Sequence, residues 1–127
     1  MRRLIVANYK MNGDKKLFAK IIKEVNKVKV RDTKIVLCPP FVYLDEFNLK
    51  NKNVELGCQD ITNQENSKST GQISPKMLLE FGVKYVIIGH SERRKIGETD
   101  EQINQKINIC LNNKLKPIIC VGEEKKS

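Results

Sequence analysis

Five short apolar runs punctuate a polar, lysine-rich chain: Leu4–Ala7, Lys34–Cys38, Val54–Cys58, Tyr85–Gly89 and Pro117–Val121. They are rich in Val and Ile and do not alternate with polar residues. That pattern suits strands buried on both faces, as in a parallel sheet. Amphipathic stretches lie between them. Lys16–Val28 puts Leu17, Ile21, Ile22, Val25 and Val28 on one helical face. Thr99–Leu111 repeats Ile103, Ile107 and Leu111 at four-residue spacing, and Thr99 with Gln102 makes a capping box. Ser74-Pro75 offers an N-cap followed by proline at the first helical position, and Phe81-Gly82 closes that helix. The stretch from Pro39 to Lys52 is irregular, with a short helix predicted from Tyr43 to Phe47.

The runs begin at residues 4, 34, 54, 85 and 117, a regular chain of βα units. Such units give parallel strands joined by right-handed crossovers. Two architectures fit. A five-strand open sheet of flavodoxin type fits this length. A (β/α)8 barrel uses about 250 residues, so this chain would supply about the first half of one. Periodicity leaves both open. The loops after the strands carry the chemistry in either fold. The first, Asn8–Gly13, has one glycine at its end and is no glycine-rich phosphate loop. Asp60, after the third strand, stands without the clustered acids of a phospho-acceptor site.

Charge adds one question. The chain has 24 Lys and Arg against 15 Asp and Glu, a net charge of +9, which raises nucleic-acid binding. The basic residues are scattered through every segment, and the few Tyr and Phe do not interleave with them as a base-stacking surface requires. The reading is a solvated lysine-rich surface with no nucleic-acid partner. The apolar runs are far shorter than the ~20 residues of a membrane-spanning helix, and MRRLIVANYK is too short for a signal-peptide core. Cys38, Cys58, Cys110 and Cys120 form no C-x-x-C pair, and one histidine is too few for a Cys/His zinc site. Reduced thiols and a cytoplasmic setting are expected, with no metal.

The candidate chemistry sits at two strand ends. Asn8 and Lys10, spaced two apart after the first strand, read either as a turn asparagine beside a surface lysine or as an amide and ammonium facing an anion. Gly89-His90-Ser91-Glu92-Arg93-Arg94 follows the fourth strand and contains the only histidine. The polar run after His90 starts a helix with Ser91 placed to cap it. A helix start disfavours imidazolium, and a neutral ring N–H polarises a carbonyl. Glu92 and Arg94 read as an ion pair holding the loop, and Glu92 reads equally as a support of the site. Asn63–Gln72 is a long polar loop, open to reading as a surface loop or as a contact with another subunit.

These pieces resemble the triosephosphate isomerase family in order and spacing. The resemblance runs through ANYKMNG at 7–13, LCPPFVYL at 37–44, GCQDI at 57–61, STGQIS at 69–74, YVIIGHSERR at 85–94 and PIICVGE at 117–123. It covers essentially the whole chain, and NxKMNG together with GHSERR is highly specific. It implies a TIM barrel of which residues 1–127 are one partial domain, the N-terminal portion through strand five. Asn8 and Lys10 match the family's substrate-binding pair, with Lys10 supplying charge to the phosphate and the developing enediolate. His90 matches the neutral electrophile, so Lys10 and His90 are the catalytic pair. Glu92, with Ser91, matches a supporting position, and Cys120 matches the family cysteine at the end of strand five.

The implied reaction interconverts dihydroxyacetone phosphate and glyceraldehyde 3-phosphate through an enediol, without metal or organic cofactor, in glycolysis and gluconeogenesis. The implied assembly is a homodimer. Two features depart from the family. Its third loop reads G-A-aromatic-T-G-E and docks into the neighbouring subunit, whereas Ser67–Gln72 keeps Thr70-Gly71 and loses the small residues, the aromatic and the acid. One residue is also missing near Ile96-Gly97. The match ends just after strand five, before the family's catalytic glutamate, its closing loop and its later phosphate loops. The chain alone is therefore expected to be inactive. A half-barrel that survives as a non-catalytic binding or scaffold module is the alternative.

Overall fold

The computed structural model describes residues 2–121. Each apolar run becomes a strand: β1 (Arg3–Asn8), β2 (Thr33–Cys38), β3 (Val54–Cys58), β4 (Val83–Ile88) and β5 (Lys116–Ile119). They form one sheet in the order β1-β2-β3-β4-β5, and every neighbouring pair is parallel. Four α-helices are described: α1 (Lys15–Val25), α2 (Pro75–Glu80), α3 (Ser91–Lys95) and α4 (Asp100–Asn112). The connection from β2 to β3 holds a 3-10 helix, Phe41–Glu46, slightly ahead of the position expected for it.

The caps explain where the helices start. Leu17 N donates to Asp14 Oδ1 at 2.7 Å, and Met77 N donates to Ser74 Oγ at 3.2 Å. Both arms of the Thr99–Gln102 capping box form, at 2.9 and 3.2 Å.

Two helical faces differ from expectation. In α1 the anchor is Phe18, fully buried, while Leu17 is 43% exposed and Val28 lies beyond the helix. Phe18, Ile21, Ile22 and Val25 make the i, i+3, i+4, i+7 stripe. The Phe18 ring packs on Tyr9, Tyr43 and Phe47 at centroid distances of 5.2, 5.2 and 5.3 Å. Gly13 is required here: its φ is +109°, and the Phe18 ring occupies the place of a Cβ. In α4 the four-residue repeat drifts about 40° round the helix at each step. Ile103 is therefore buried and Leu111 exposed, and the inward stripe runs through Ile103, Lys106, Ile107 and Cys110.

The two faces of the sheet are covered differently. Phe18, Leu44, Leu78, Ile103 and Ile109, from the helices, pack with Leu37, Leu56, Cys58, Val86 and Ile88 into one cluster. The opposite face holds a smaller cluster of Val36, Cys38, Tyr85 and Ile87, joined by Val6, Ile118 and Cys120, with no helical residue in it. Helices thus lie on the outside of a sheet that curls inward, the first half of a (β/α)8 barrel. A doubly wound sheet would have order 2-1-3-4-5 and helices on both faces. The concave face is tight at Gly57, where the register with β4 shifts; a Cβ there would lie 2.6 Å from Cys38 Sγ.

Burial accounts for the thiols. Cys38, Cys58 and Cys110 are buried and Cys120 is half-buried, and all four are free. Desolvation pushes Cys38 and Cys110 up to about 12 and Cys58 well above its ordinary value. No helix among the described residues is long and apolar enough to cross a membrane.

Candidate functional site

Asn8 ends β1, and the chain turns at once. Lys10 has φ +54°, so its approach to Asn8 comes from a left-handed turn and not from the extended alternation expected. Two side chains hold that turn. Lys10 N donates to Asn8 Oδ1 at 2.9 Å, and Gln59 Nε2 donates to Lys10 O at 2.8 Å and to Cys38 O at 3.0 Å. Both backbone groups of Lys10 are therefore satisfied, which is how a left-handed non-glycine residue persists. Gln59 escapes sequence reasoning because its role is to tie the turn after β1 to the end of β2 by their backbone carbonyls. Its only signal is a polar residue directly after strand three.

At the end of β4, Gly89 turns the chain with φ +76° into His90. His90, not Ser91, is the N-cap of α3: Glu92 N donates to His90 Nδ1 at 3.2 Å. The imidazole reaches the open N–H groups better than the Ser91 hydroxyl, which belongs to the first helical residue. Ser91 is exposed and its side chain makes no hydrogen bond among the described residues. Arg94 pairs with Asp100 at 2.7 Å and does not pair with Glu92.

Glu92 Oε1 lies 2.8 Å from Lys10 Nζ and 3.6 Å from His90 Nδ1. The two possible partners of Nδ1 demand opposite protonation. The backbone N–H of Glu92 always carries its proton, and the carboxylate is already engaged by the shorter lysine contact. Nδ1 is therefore the acceptor, which leaves Nε2 as the ring nitrogen able to donate. The hydrogen bond from Lys10, with its positive charge, holds the Glu92 carboxyl below the usual range.

Asn8, Lys10, Gln59, Ile87, His90 and Glu92, together with Met11 and Arg93, line one cavity of about 170 Å³ at the C-terminal ends of the strands. β1 and β4 are separated by two strands, so their side chains share a cavity only because the sheet curls. The cavity offers an ammonium, an amide and a ring N–H beside an aliphatic wall.

Comparison with known proteins agrees with this geometry. The family profile described as triosephosphate isomerase matches residues 3–127. This chain belongs to the triosephosphate isomerase family.

The "Triosephosphate isomerase" of Thermoanaerobacter pseudethanolicus is 48% identical over 128 residues, 97% of this chain and 52% of the relative. That of Clostridium botulinum strain Loch Maree is 45% identical over 129 residues, again 97% and 52%. That of Wigglesworthia glossinidia brevipalpis is 43% identical over 132 residues, covering 100% of this chain and 52% of the relative. The chain thus spans about half the length of these members of the triosephosphate isomerase family.

Cys120 follows β5 and borders the concave cluster, where burial raises its thiol. Glu123 and Glu124 lie outside the described residues. The loop expected to meet another subunit is exposed from Gln64 to Gln72 and is tied to α4 by Asn63 Nδ2 donating to Gln105 Oε1 at 3.0 Å.

Proposed function

We propose that the protein carrying this chain is a triosephosphate isomerase, interconverting dihydroxyacetone phosphate and D-glyceraldehyde 3-phosphate through an enediol. One observation supports this most: an imidazole whose Nδ1 accepts a backbone N–H, leaving Nε2 free to donate, on a residue that lines one cavity with Lys10. A base removes a proton from the hydroxyl-bearing carbon next to the carbonyl, and the carbonyl oxygen gains charge and then a proton, giving the enediol. The other hydroxyl oxygen gives up its proton to become the new carbonyl as the abstracted proton is delivered to the former carbonyl carbon. Nothing is oxidised overall, so no redox cofactor enters.

His90 and Lys10 are the catalytic pair. His90 Nε2–H donates to the oxygen on which charge develops, and Lys10 supplies positive charge to that oxygen and to the phosphate. Asn8 binds substrate through Nδ2, since Oδ1 is used to hold Lys10. Glu92 supports the site by keeping the Lys10 ammonium in place, with Ser91 as a structural first residue of α3. Residues 1–127 form one partial domain; the abstracting base and the remaining phosphate donors come from the other part of the barrel. The reading extends to a cytoplasmic glycolytic homodimer whose subunits meet through the exposed 64–72 loop, in keeping with four free thiols.

The test is a coupled assay on the intact protein. Turnover of either triose phosphate, retained after treatment with a chelator, is the expected result. A folded intact protein with no turnover would refute the reading.

A further inference from the structure

Asp60, alone in the sequence, has company in the fold. Arg93 Nη2 lies 3.2 Å from Asp60 Oδ2, and Arg93 Nε lies 3.5 Å from Glu98 Oε2. Lys106 Nζ lies 2.7 Å from Asp60 Oδ1 and 3.0 Å from Glu98 Oε1. The four charges close a ring of alternating sign. Its far side is buried, with the side chains of Lys106 and Glu98 only 5% and 4% exposed. Glu98's oxygens sit at ion-pair distance without aligned hydrogen bonds, so charge alone holds them.

We propose that this ring positions His90, by fixing α3 against the barrel wall. α3 has five residues and buries no side chain. A helix that short has no stability of its own. Its other ties, Glu92 to Lys10 and Arg94 to Asp100, are between exposed groups and contribute little. Arg93 is the one α3 side chain bound to groups from β3's exit loop and the loop before α4. The ring also makes that position obligatory. Without Arg93 two carboxylates in a largely buried setting would face one ammonium, which is costly. Neutrality is reached only with Arg93 in place, and Arg93 in place sets the first turn of α3. That turn carries the Glu92 N–H which fixes the His90 tautomer. Arg93, Asp60, Glu98 and Lys106 are thus positioning residues, and the inference rests on the role proposed for His90.

The experiment compares Asp60→Asn and Arg93→Lys with the parent in the intact protein. Arg94→Ala, which breaks only an exposed pair, is the control. Two quantities are read: kcat with KM, and the ring-nitrogen NMR signals of His90. Both variants are expected to lower kcat about 10- to 100-fold, the scale of a misplaced catalytic group, with KM little changed. The His90 signals should move from one tautomer to a mixture, and Arg94→Ala should match the parent in both. If Asp60→Asn does not fold, Arg93→Lys, which keeps the charge count, carries the test. Folded variants that lose only thermal stability and keep the parental His90 signals would overturn the proposal. An intact protein without isomerase activity would refute the functional reading instead, leaving the nitrogen signals to decide the ring.

Discussion

Replacing His90 with asparagine in the intact protein is expected to lower kcat by about 10²–10³-fold, the usual cost of removing one donor to a developing oxyanion. Asparagine is chosen because it separates the two jobs of this residue. Its side-chain oxygen is a good N-cap acceptor, so the first turn of α3 should survive as it does with His90 Nδ1 accepting from Glu92 N at 3.2 Å. Being shorter, it brings no donor to the place of Nε2. The hydrogen bond strengthens as the carbonyl oxygen becomes an enolate oxygen, so the loss falls mainly on kcat, with KM changed little. Steady-state kinetics in both directions would show this. A variant with parental kcat and raised KM would make His90 a ground-state contact only.

A polypeptide limited to residues 1–127 is expected to show no isomerase turnover in the same assay. Proton abstraction next to a carbonyl needs a positioned base, and such groups typically contribute 10²–10⁴-fold. Among the described residues the one carboxylate lining the cavity is Glu92, and it is poorly suited. It is held 2.8 Å from Lys10 Nζ, and that contact lowers its basicity. Pulling Glu92 away to act as base would also strip the lysine of its restraint. Apolar side chains on both edge strands add a second expectation: Leu4, Ile5 and Ile119 are 48%, 53% and 49% exposed. Such edges invite pairing, so sedimentation of this polypeptide should show concentration-dependent association. Turnover that disappears with His90→Asn would mean that a residue of this chain serves as base. Association without turnover is also what a scaffold module would show, so the intact protein distinguishes the two.

Strands were the most legible part of the fold. Val54–Cys58 matches its run residue for residue, and the others differ by a few residues at their ends. Continuous Val/Ile runs bounded by loops leave little freedom in a parallel sheet. Sheet curvature was not legible from periodicity, because open and closed βα folds share it. The strand order and the one-sided helix layer decide between them. Helical faces were less secure, since Leu17 and Phe18 are both apolar and only packing against Tyr9 and Phe47 selects Phe18.

At the site, Asn8, Lys10 and His90 could be read as strand-end residues, and the structure gathers them around one cavity. Their supports were hidden. Gln59 acts through the backbone carbonyls of Lys10 and Cys38, and Asp60 meets Lys106 across 46 positions of sequence. Ser91 shows the reverse problem. A serine before a helical run looks like a cap, yet the imidazole one residue earlier takes the bond.

His90 is proposed as a neutral donor through Nε2, held so by the backbone of α3. Nitrogen NMR of the intact protein, labelled in histidine, tests it most directly; variants of His90 assign the signal. At neutral pH Nδ1 should appear as the unprotonated acceptor and Nε2 as the protonated nitrogen, with the Nε2 signal moving on addition of dihydroxyacetone phosphate. A ring protonated at Nδ1, whether alone or together with Nε2, would contradict it.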